Sequence, residues 1–291
     1  MILVTGATGS VGGHLVRRLR QDGVPFKALV RDAAKGRSLG CDTVLGDFDD
    51  PGSIEAALAG VDRLFLNTAG AEPVEGEQPM VRRQKAAVDA AVRAGVSSVV
   101  KVSVWHAREG GKLAEGAHWP ADQHLKASGL GWSLLRPSGF MQNFLARGGV
   151  FTAGGDFIGA PGDSRVSYID CQDIADCAAR LLVGPDRGNA AYVLTGPQAL
   201  SQSEIAEELS VALGRRVRYV DLAPADLAAS LTVRGVPARF AADVAELWGA
   251  VGRGAQATTT TAVRELTGHE ARTFAEFVRR HRDALRAVSG R

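Results

Sequence analysis

The sequence predicts an α/β protein, a doubly wound parallel sheet with a smaller C-terminal α/β substrate lobe. Three observations carry that expectation. Short apolar runs alternate with helical periodicity through the first half of the chain, a glycine-rich turn joins the first run to the first helix, and the rhythm changes after Pro137. Strands alternating with helices are the pattern of parallel βαβ units.

Met1–Thr5 is a short apolar run suited to a strand buried on both faces. Val11–Gln21 has helical periodicity and ends at Gly23. Phe26–Val30 and Thr43–Leu45 read as the next two strands, and Pro51–Ala59 as a helix with Pro in its first turn. Arg63–Asn67 is the fourth strand, Pro79–Ala94 a helix closed by Gly95, and Val-rich Ser98–Ser103 the fifth strand. After a Gly-rich loop, His118–Ala127 is helical and Trp132–Arg136 is a sixth strand. Right-handed crossovers then gather the strand C-termini along one edge, where such folds bind ligands.

Beyond Pro137, helices are expected at Asp173–Leu182, Ser201–Leu213, Pro224–Ala229, Pro237–Ala250 and Thr273–Ala287, with strands at Ala191–Leu194 and Val217–Val220. Ser201 with Glu204 three residues on is a capping-box pattern. Residues 1–137 are thus expected to form the nucleotide-binding core. Residues 138–291 are mainly a lobe closing over the ligand, with a segment near 165–195 returning to the core.

The strongest motif is Thr5-Gly6-Ala7-Thr8-Gly9-Ser10-Val11-Gly12, between a strand and a helix as a dinucleotide fingerprint requires. Gly6 suits the sharp turn, Gly9 the close approach of backbone to a pyrophosphate, and Gly12 the packing of helix on strand. The helix N-terminus supplies N–H groups, through Thr8, Ser10 and Val11 as well. A glycine triplet can also be a purely structural turn, but its register here selects a Rossmann-like nucleotide site.

NAD sites place an acidic residue after the second strand, to hold the ribose 2′-hydroxyl. Here Arg31 stands there, with Lys35 and Arg37 close behind, and a guanidinium suits a 2′-phosphate. NADPH is the favoured cofactor; Asp32, next in sequence, leaves NADH open. Asp47 and Phe48 follow the third strand and fit an adenine pocket. Asn67, Thr68 and Ala69 end the fourth strand, where small residues let a cofactor lie on backbone.

Composition removes other classes. With 34 basic and 32 acidic residues the chain has a net charge of +2 and no basic stripe, which argues against nucleic acid. The densest basic patch, Arg279, Arg280, His281 and Arg282, reads as a solvated helix face. Cys41, Cys171 and Cys177 lack metal-ligand spacing, so no metal is expected, and they read as small buried hydrophobes in a reduced compartment. A strand expected from Ile2 leaves no leader, and no apolar run approaches ~18 residues. A cytoplasmic protein is expected, monomer or homodimer, acting on a small molecule and not on a membrane.

These residues, with Val30-Arg31-Asp32, Gly46-Asp47, Ser128-Gly129-Leu130, Leu135-Arg136-Pro137, Tyr168-Ile169-Asp170, Asp173-Ile174-Ala175-Asp176, Leu194-Thr195-Gly196-Pro197 and Thr273-Phe274-Ala275-Glu276-Phe277, resemble the NmrA-like group of atypical short-chain dehydrogenase/reductases. Within it the chain is most similar to the type-2 quinone oxidoreductase subgroup. The resemblance implies an NAD(P)H-binding domain with a small substrate lobe. Some such proteins reduce quinones or other carbonyl compounds; others bind the dinucleotide as regulators without turnover.

One departure matters. The family's Tyr-x-x-x-Lys pair is absent, since Tyr168, Tyr192 and Tyr219 are followed four residues on by Gln172, Gly196 and Ala223. Aligning Asp122 and Leu125 with the family helix puts its Lys position on His118 and its Tyr position on Ala114. Ser103 matches a Ser that hydrogen-bonds a substrate carbonyl. His118 and Ser103 are therefore the catalytic candidates, stabilising an oxyanion or, for a His titrating near neutrality, supplying a proton. A His opening a helix also occurs as a plain cap. Trp105, Trp119, Phe140, Asn143 and Phe144 are expected to hold a flat quinone or aromatic carbonyl, although the i,i+4 spacing of Phe140 and Phe144 also suits lobe packing. The expected function is NADPH-dependent reduction by hydride transfer. The alternatives are an NAD(P)H-sensing regulatory protein and, more remotely, an epimerase or dehydratase.

Overall fold

The computed structural model describes residues 1–146, 150–152, 154–185 and 187–290. The first elements are β1 (Ile2–Val4), α1 (Ser10–Gln21), β2 (Phe26–Val30), α2 (Ala33–Arg37), β3 (Thr43–Leu45), α3 (Pro51–Ala57), β4 (Arg63–Leu66), α4 (Pro79–Arg93), β5 (Ser98–Val102), α5 (Leu113–Ala127) and β6 (Gly131–Pro137). A 3-10 turn (Met141–Leu145) leads to β7 (Phe157–Gly159), α6 (Cys171–Val183), β8 (Ala190–Leu194), α7 (Gln202–Leu213) and β9 (Tyr219–Asp221). The chain continues with α8 (Pro224–Val233), α9 (Ala238–Gly252), α10 (Ala262–Thr267), α11 (Phe274–Arg280) and α12 (Arg282–Val288).

The main sheet has the order β3-β2-β1-β4-β5-β6-β8. β1 pairs in parallel with both β2 and β4, Ile2 opposite Phe26 and Arg63, and the β2–β3, β4–β5 and β5–β6 pairs are parallel too. The order runs outward from β1 in both directions, so the C-terminal ends of β1 and β4 flank the point where the winding reverses. That is where doubly wound sheets bind ligands.

Side chains alternate across each strand. Leu3, Leu64, Leu66, Val99 and Leu134 pack with Ile54, Val88 and Leu125 from α3, α4 and α5, and with Leu58 at the C-cap of α3. α1 packs on α6, and Arg18 reaches Asp176 across them at 3.2 Å.

The chain divides into two compact units: Met1–Glu72 with Gly76–Pro137 and Cys171–Val193, and Pro73–Glu75 with Ser138–Asp170 and Leu194–Arg291. The second unit has its own core, in which Phe144, Phe157, Tyr168 and Phe274 meet with Ile205, Leu209 and Phe277. β7 pairs with β9 there, Phe157 opposite Tyr219, and both halves of the Ser201–Glu204 capping box form.

Several elements differ from expectation. α5 starts at Leu113, five residues before His118, so His118 lies in its second turn and caps nothing. Pro120 sits inside this helix and removes one of its N–H donors, which with Gly110, Gly111 and Gly116 disguised its first turns as a loop. The expected helix Thr273–Ala287 is two helices, because His281 leaves helical geometry (φ −104°, ψ 20°) and packs on the Phe277 ring. α2, β7 and α10 are short elements with no periodic signal. Cys171 and Cys177 are buried as expected, whereas Cys41 is only half-buried. Among the described residues no helix is long and apolar enough to cross a membrane.

Candidate active site

The glycine turn is tied to the sheet before it reaches the helix. The Thr5 hydroxyl donates toward the carbonyls of Phe65 (2.9 Å) and Asn67 (3.0 Å) and accepts from the Asn67 amide at 2.9 Å, joining the ends of β1 and β4. Gly6 has φ +61°, and a Cβ there would lie 2.8 Å from the Asn67 carbonyl oxygen. Gly12 is tighter, since its Cβ would fall 2.1 Å from the Gly6 oxygen. Both glycines are required by backbone packing.

Gly9 is the N-cap of α1 and offers no side chain to the helix. The first amides of a helix have no intrahelical partner, so this end has free N–H groups that an anion could accept. It opens into a cleft of about 420 Å³ lined by Gly6, Thr8, Gly9, Arg31, Asp47, Phe48, Asn67, Thr68 and Ala69. Nine expected cofactor residues thus share one cleft. Ser10, Val11, Gly12 and Lys35 are not on its wall: Val11 and Gly12 are buried beneath the turn, and Ser10 and Lys35 are exposed.

Arg31 and Asp32 are separated by their roles. Arg31 lines the cleft, while the Asp32 carboxylate caps α2, accepting from the amides of Ala34 (2.7 Å) and Lys35 (3.4 Å). Glu72 and Arg83 also line it, and sequence reading missed both. Arg83 bonds Glu72 at 2.6 Å and Asp49 at 2.8 Å, bracing the cleft from α4. Nothing local in the sequence distinguishes Arg83 from its neighbour Arg82.

A second polar centre lies at the end of β5, inside the first unit. Lys101 and Asp122 are fully buried and 2.8 Å apart. Lys101 Nζ also contacts His118 Nδ1 at 2.9 Å and the Val102 carbonyl at 3.4 Å. The Ser103 hydroxyl donates to Asp122 Oδ2 at 2.7 Å, and Arg136 reaches the same oxygen at 3.3 Å. The expected pair, His118 and Ser103, is thus joined through two residues not selected from the sequence. The available signal was a lysine inside the apolar run Val99-Val100-Lys101-Val102.

Electrostatics revises the expected role of His118. Burial, with Lys101 and Arg136 nearby, holds its pKa well below the usual histidine value, so the ring is neutral at neutral pH and is not a ready acid. Burial also lowers the Lys101 pKa, against the opposing pull of Asp122. The Ser103 proton is directed to Asp122.

The aromatic candidates separate. Trp105 stacks on His106 (4.7 Å, 13° between planes) just past β5, and its amide bonds the Pro137 carbonyl. Trp119 is half-buried beside His118 on α5. In the second unit Phe140 is half-buried, bridging to Ile169, and Asn143 is exposed. Phe144 is 1% exposed, with the rings of Phe157, Tyr168 and Phe274 at 5.0–5.4 Å. Phe144 is a core residue and not a substrate contact, because three rings already occupy its surroundings.

The NmrA-like family model matches residues 1–278. The chain belongs to the NmrA-like family. An NAD(P)H azoreductase of Xenophilus azovorans is 39% identical over 99% of this chain and 100% of its own length. Among solved structures, the NADPH-dependent quinone oxidoreductase of Escherichia coli, complexed with NADPH, superposes with a TM-score of 0.83 at 30% identity, covering 96% of this chain and 98% of its own. The Citrobacter triphenylmethane reductase complexed with NADP(H) gives 0.82 at 25%, covering 96% and 99%. The match covers at least 98% of the length of each of the three.

Proposed function

We propose that this protein is an NADPH-dependent oxidoreductase that reduces a flat conjugated acceptor, a quinone or another aromatic carbonyl, without a Tyr-x-x-x-Lys pair. One observation carries the cofactor reading: an uncapped helix N-terminus and a guanidinium line one cleft, while the competing carboxylate of Asp32 is occupied as a helix cap. The amides opening α1 hold a diphosphate, Arg31 the 2′-phosphate, and Asp47, Phe48 and the Asn67–Ala69 stretch the adenosine. Three relatives named for reducing azo compounds, quinones and triphenylmethane dyes favour an extended π-system as acceptor.

The bound cofactor supplies a hydride. His118 supports reduction as a neutral hydrogen-bond donor to the acceptor atom that gains charge, in the manner of an oxyanion hole. Ser103 acts through Asp122, because its proton is already placed there. Trp105 and Trp119 flank this centre in sequence and offer faces for the acceptor to stack on. Since the imidazole is neutral, the proton that completes the product comes from solvent.

The test is NADPH oxidation with a panel of quinones and azo dyes, beside calorimetry of NADPH alone. Turnover with at least one acceptor supports the enzyme. Tight NADPH binding with no turnover on any acceptor would favour a dinucleotide-sensing regulator, and no binding at all would remove the cofactor assignment.

A further inference from the structure

The centre at β5 holds more than a histidine near an acceptor. An ammonium group carries three N–H donors and no acceptor. Around Lys101 Nζ stand Asp122 Oδ1 at 2.8 Å and the Val102 carbonyl at 3.4 Å, which can only accept, and His118 Nδ1 at 2.9 Å. Each proton of the ammonium has a destination. A neutral amine could meet the same three atoms only by accepting from a His118 Nδ1–H, so the charge of Lys101 and the tautomer of His118 are linked, in a place with no exposed Lys101 surface. Asp122 adds the charge that keeps the ammonium form, and is itself held by Ser103 at 2.7 Å and Arg136 at 3.3 Å.

A consequence follows for the ring. With Lys101 as the ammonium that Asp122 favours, its N–H donates and His118 Nδ1 accepts. The ring proton then resides on Nε2, which has no partner among the described residues. A histidine's hydrogen-bonded nitrogen fixes its tautomer and so decides which face of the ring can donate.

We propose that Lys101 is a positioning residue, which holds His118 in the Nε2–H form and aims that N–H as the donor for the reduced atom of the acceptor. Lys101 does not touch the acceptor. It is the buried residue, with Asp122 as its anchor, that gives an otherwise ambivalent imidazole one direction. The assignment of a donor role rests on the reductase reading above; the tautomer does not.

The test begins with the unmodified protein without cofactor. Histidine labelled with heavy nitrogen is examined by long-range proton–nitrogen NMR correlation, and the His118 signals are identified by their loss in His118→Gln. The expected result at neutral pH is a neutral ring protonated on Nε2. A ring protonated on Nδ1 would overturn the proposal whether or not any variant folds. In Lys101→Met the ring should move toward the Nδ1 form, and kcat should fall about a hundredfold, the loss seen when one such donor is removed, with NADPH affinity unchanged. A folded Lys101→Met that keeps the Nε2–H form, or keeps kcat, would also reject it. If NADPH fails to bind the unmodified protein, the reductase reading falls while the tautomer result stands by itself.

Discussion

Replacing Arg31 with Ala is the most direct probe of cofactor choice, because the structure isolates the guanidinium from other duties. Arg31 lines the cleft, is exposed, and follows β2 at the position that meets the 2′ end of the ribose in doubly wound folds. A hydrogen bond to a charged group contributes ~1.5–3 kcal/mol. At an exposed position solvent screens the pair, so the lower end applies, ~1.5 kcal/mol, which is about tenfold in Kd. Arg31→Ala should therefore weaken NADPH about tenfold and leave NADH within about twofold. The assay is titration calorimetry of both cofactors at low and high salt. The NADPH advantage should shrink as salt rises in the unmodified protein and vanish in the variant. Equal weakening of both cofactors, or an NADPH preference that persists in Arg31→Ala, would refute the reasoning. Asp32 sharpens the result, because its carboxylate remains the cap of α2 and is not released to bind a 2′-hydroxyl.

Two further outcomes follow from the same geometry. Gly12→Ala should abolish NADPH binding in calorimetry and lower the urea midpoint, since its Cβ would sit 2.1 Å from the backbone oxygen of Gly6 and neither atom belongs to a side chain that can turn away. Stability should also fall as pH drops below about 6.5, the ordinary histidine value. His118 stays neutral in the fold while the unfolded chain takes up its proton, at about 1.4 kcal/mol per pH unit for that group. His118→Gln should flatten this part of the pH–stability curve, read by urea unfolding.

The doubly wound frame was legible because its signals are local. β2 (Phe26–Val30) and β3 (Thr43–Leu45) fall on the expected boundaries, and the turn from Gly6 to Gly9 forms part of the cleft wall. Asp47 and Asn67 could be placed for the same reason, since strand ends in a parallel sheet converge on one edge. What escaped the sequence depends on distant partners. Arg83 and Glu72 meet only through folding, and so do Lys101 and Asp122, one on a strand and one on a helix. The charge of Lys101 was visible, but a lysine in a buried strand reveals its purpose only with its three partners in view. Phe144 misled because an aromatic after a strand end serves a core as readily as a pocket.

Lys101, Asp122 and Ser103 raise a question of stability, since removing charges from water costs several kcal/mol per ion and their mutual attraction repays this only partly. Lys101→Met alone would leave Asp122 charged and fully buried, with Arg136 at 3.3 Å as its remaining cation, and should cost ~3–5 kcal/mol. Replacing the set together, Lys101→Met with Asp122→Leu and Ser103→Ala, removes the charges and the hydroxyl that depends on them. Arg136 is partly exposed and can turn to water. The triple variant should then match or exceed the unmodified protein in stability, by up to ~4 kcal/mol. NADPH affinity should be retained, because none of the three lines the cofactor cleft, while turnover is lost. Urea unfolding, calorimetry and acceptor reduction separate these effects. A triple variant as unstable as Lys101→Met alone would mean that the buried charges hold the fold; a stable one that still turns over would mean that they do not serve the reaction. Stability gained as activity disappears is expected, because a charge kept in the dry end of β5 at a cost to folding has to be explained by what it does to His118.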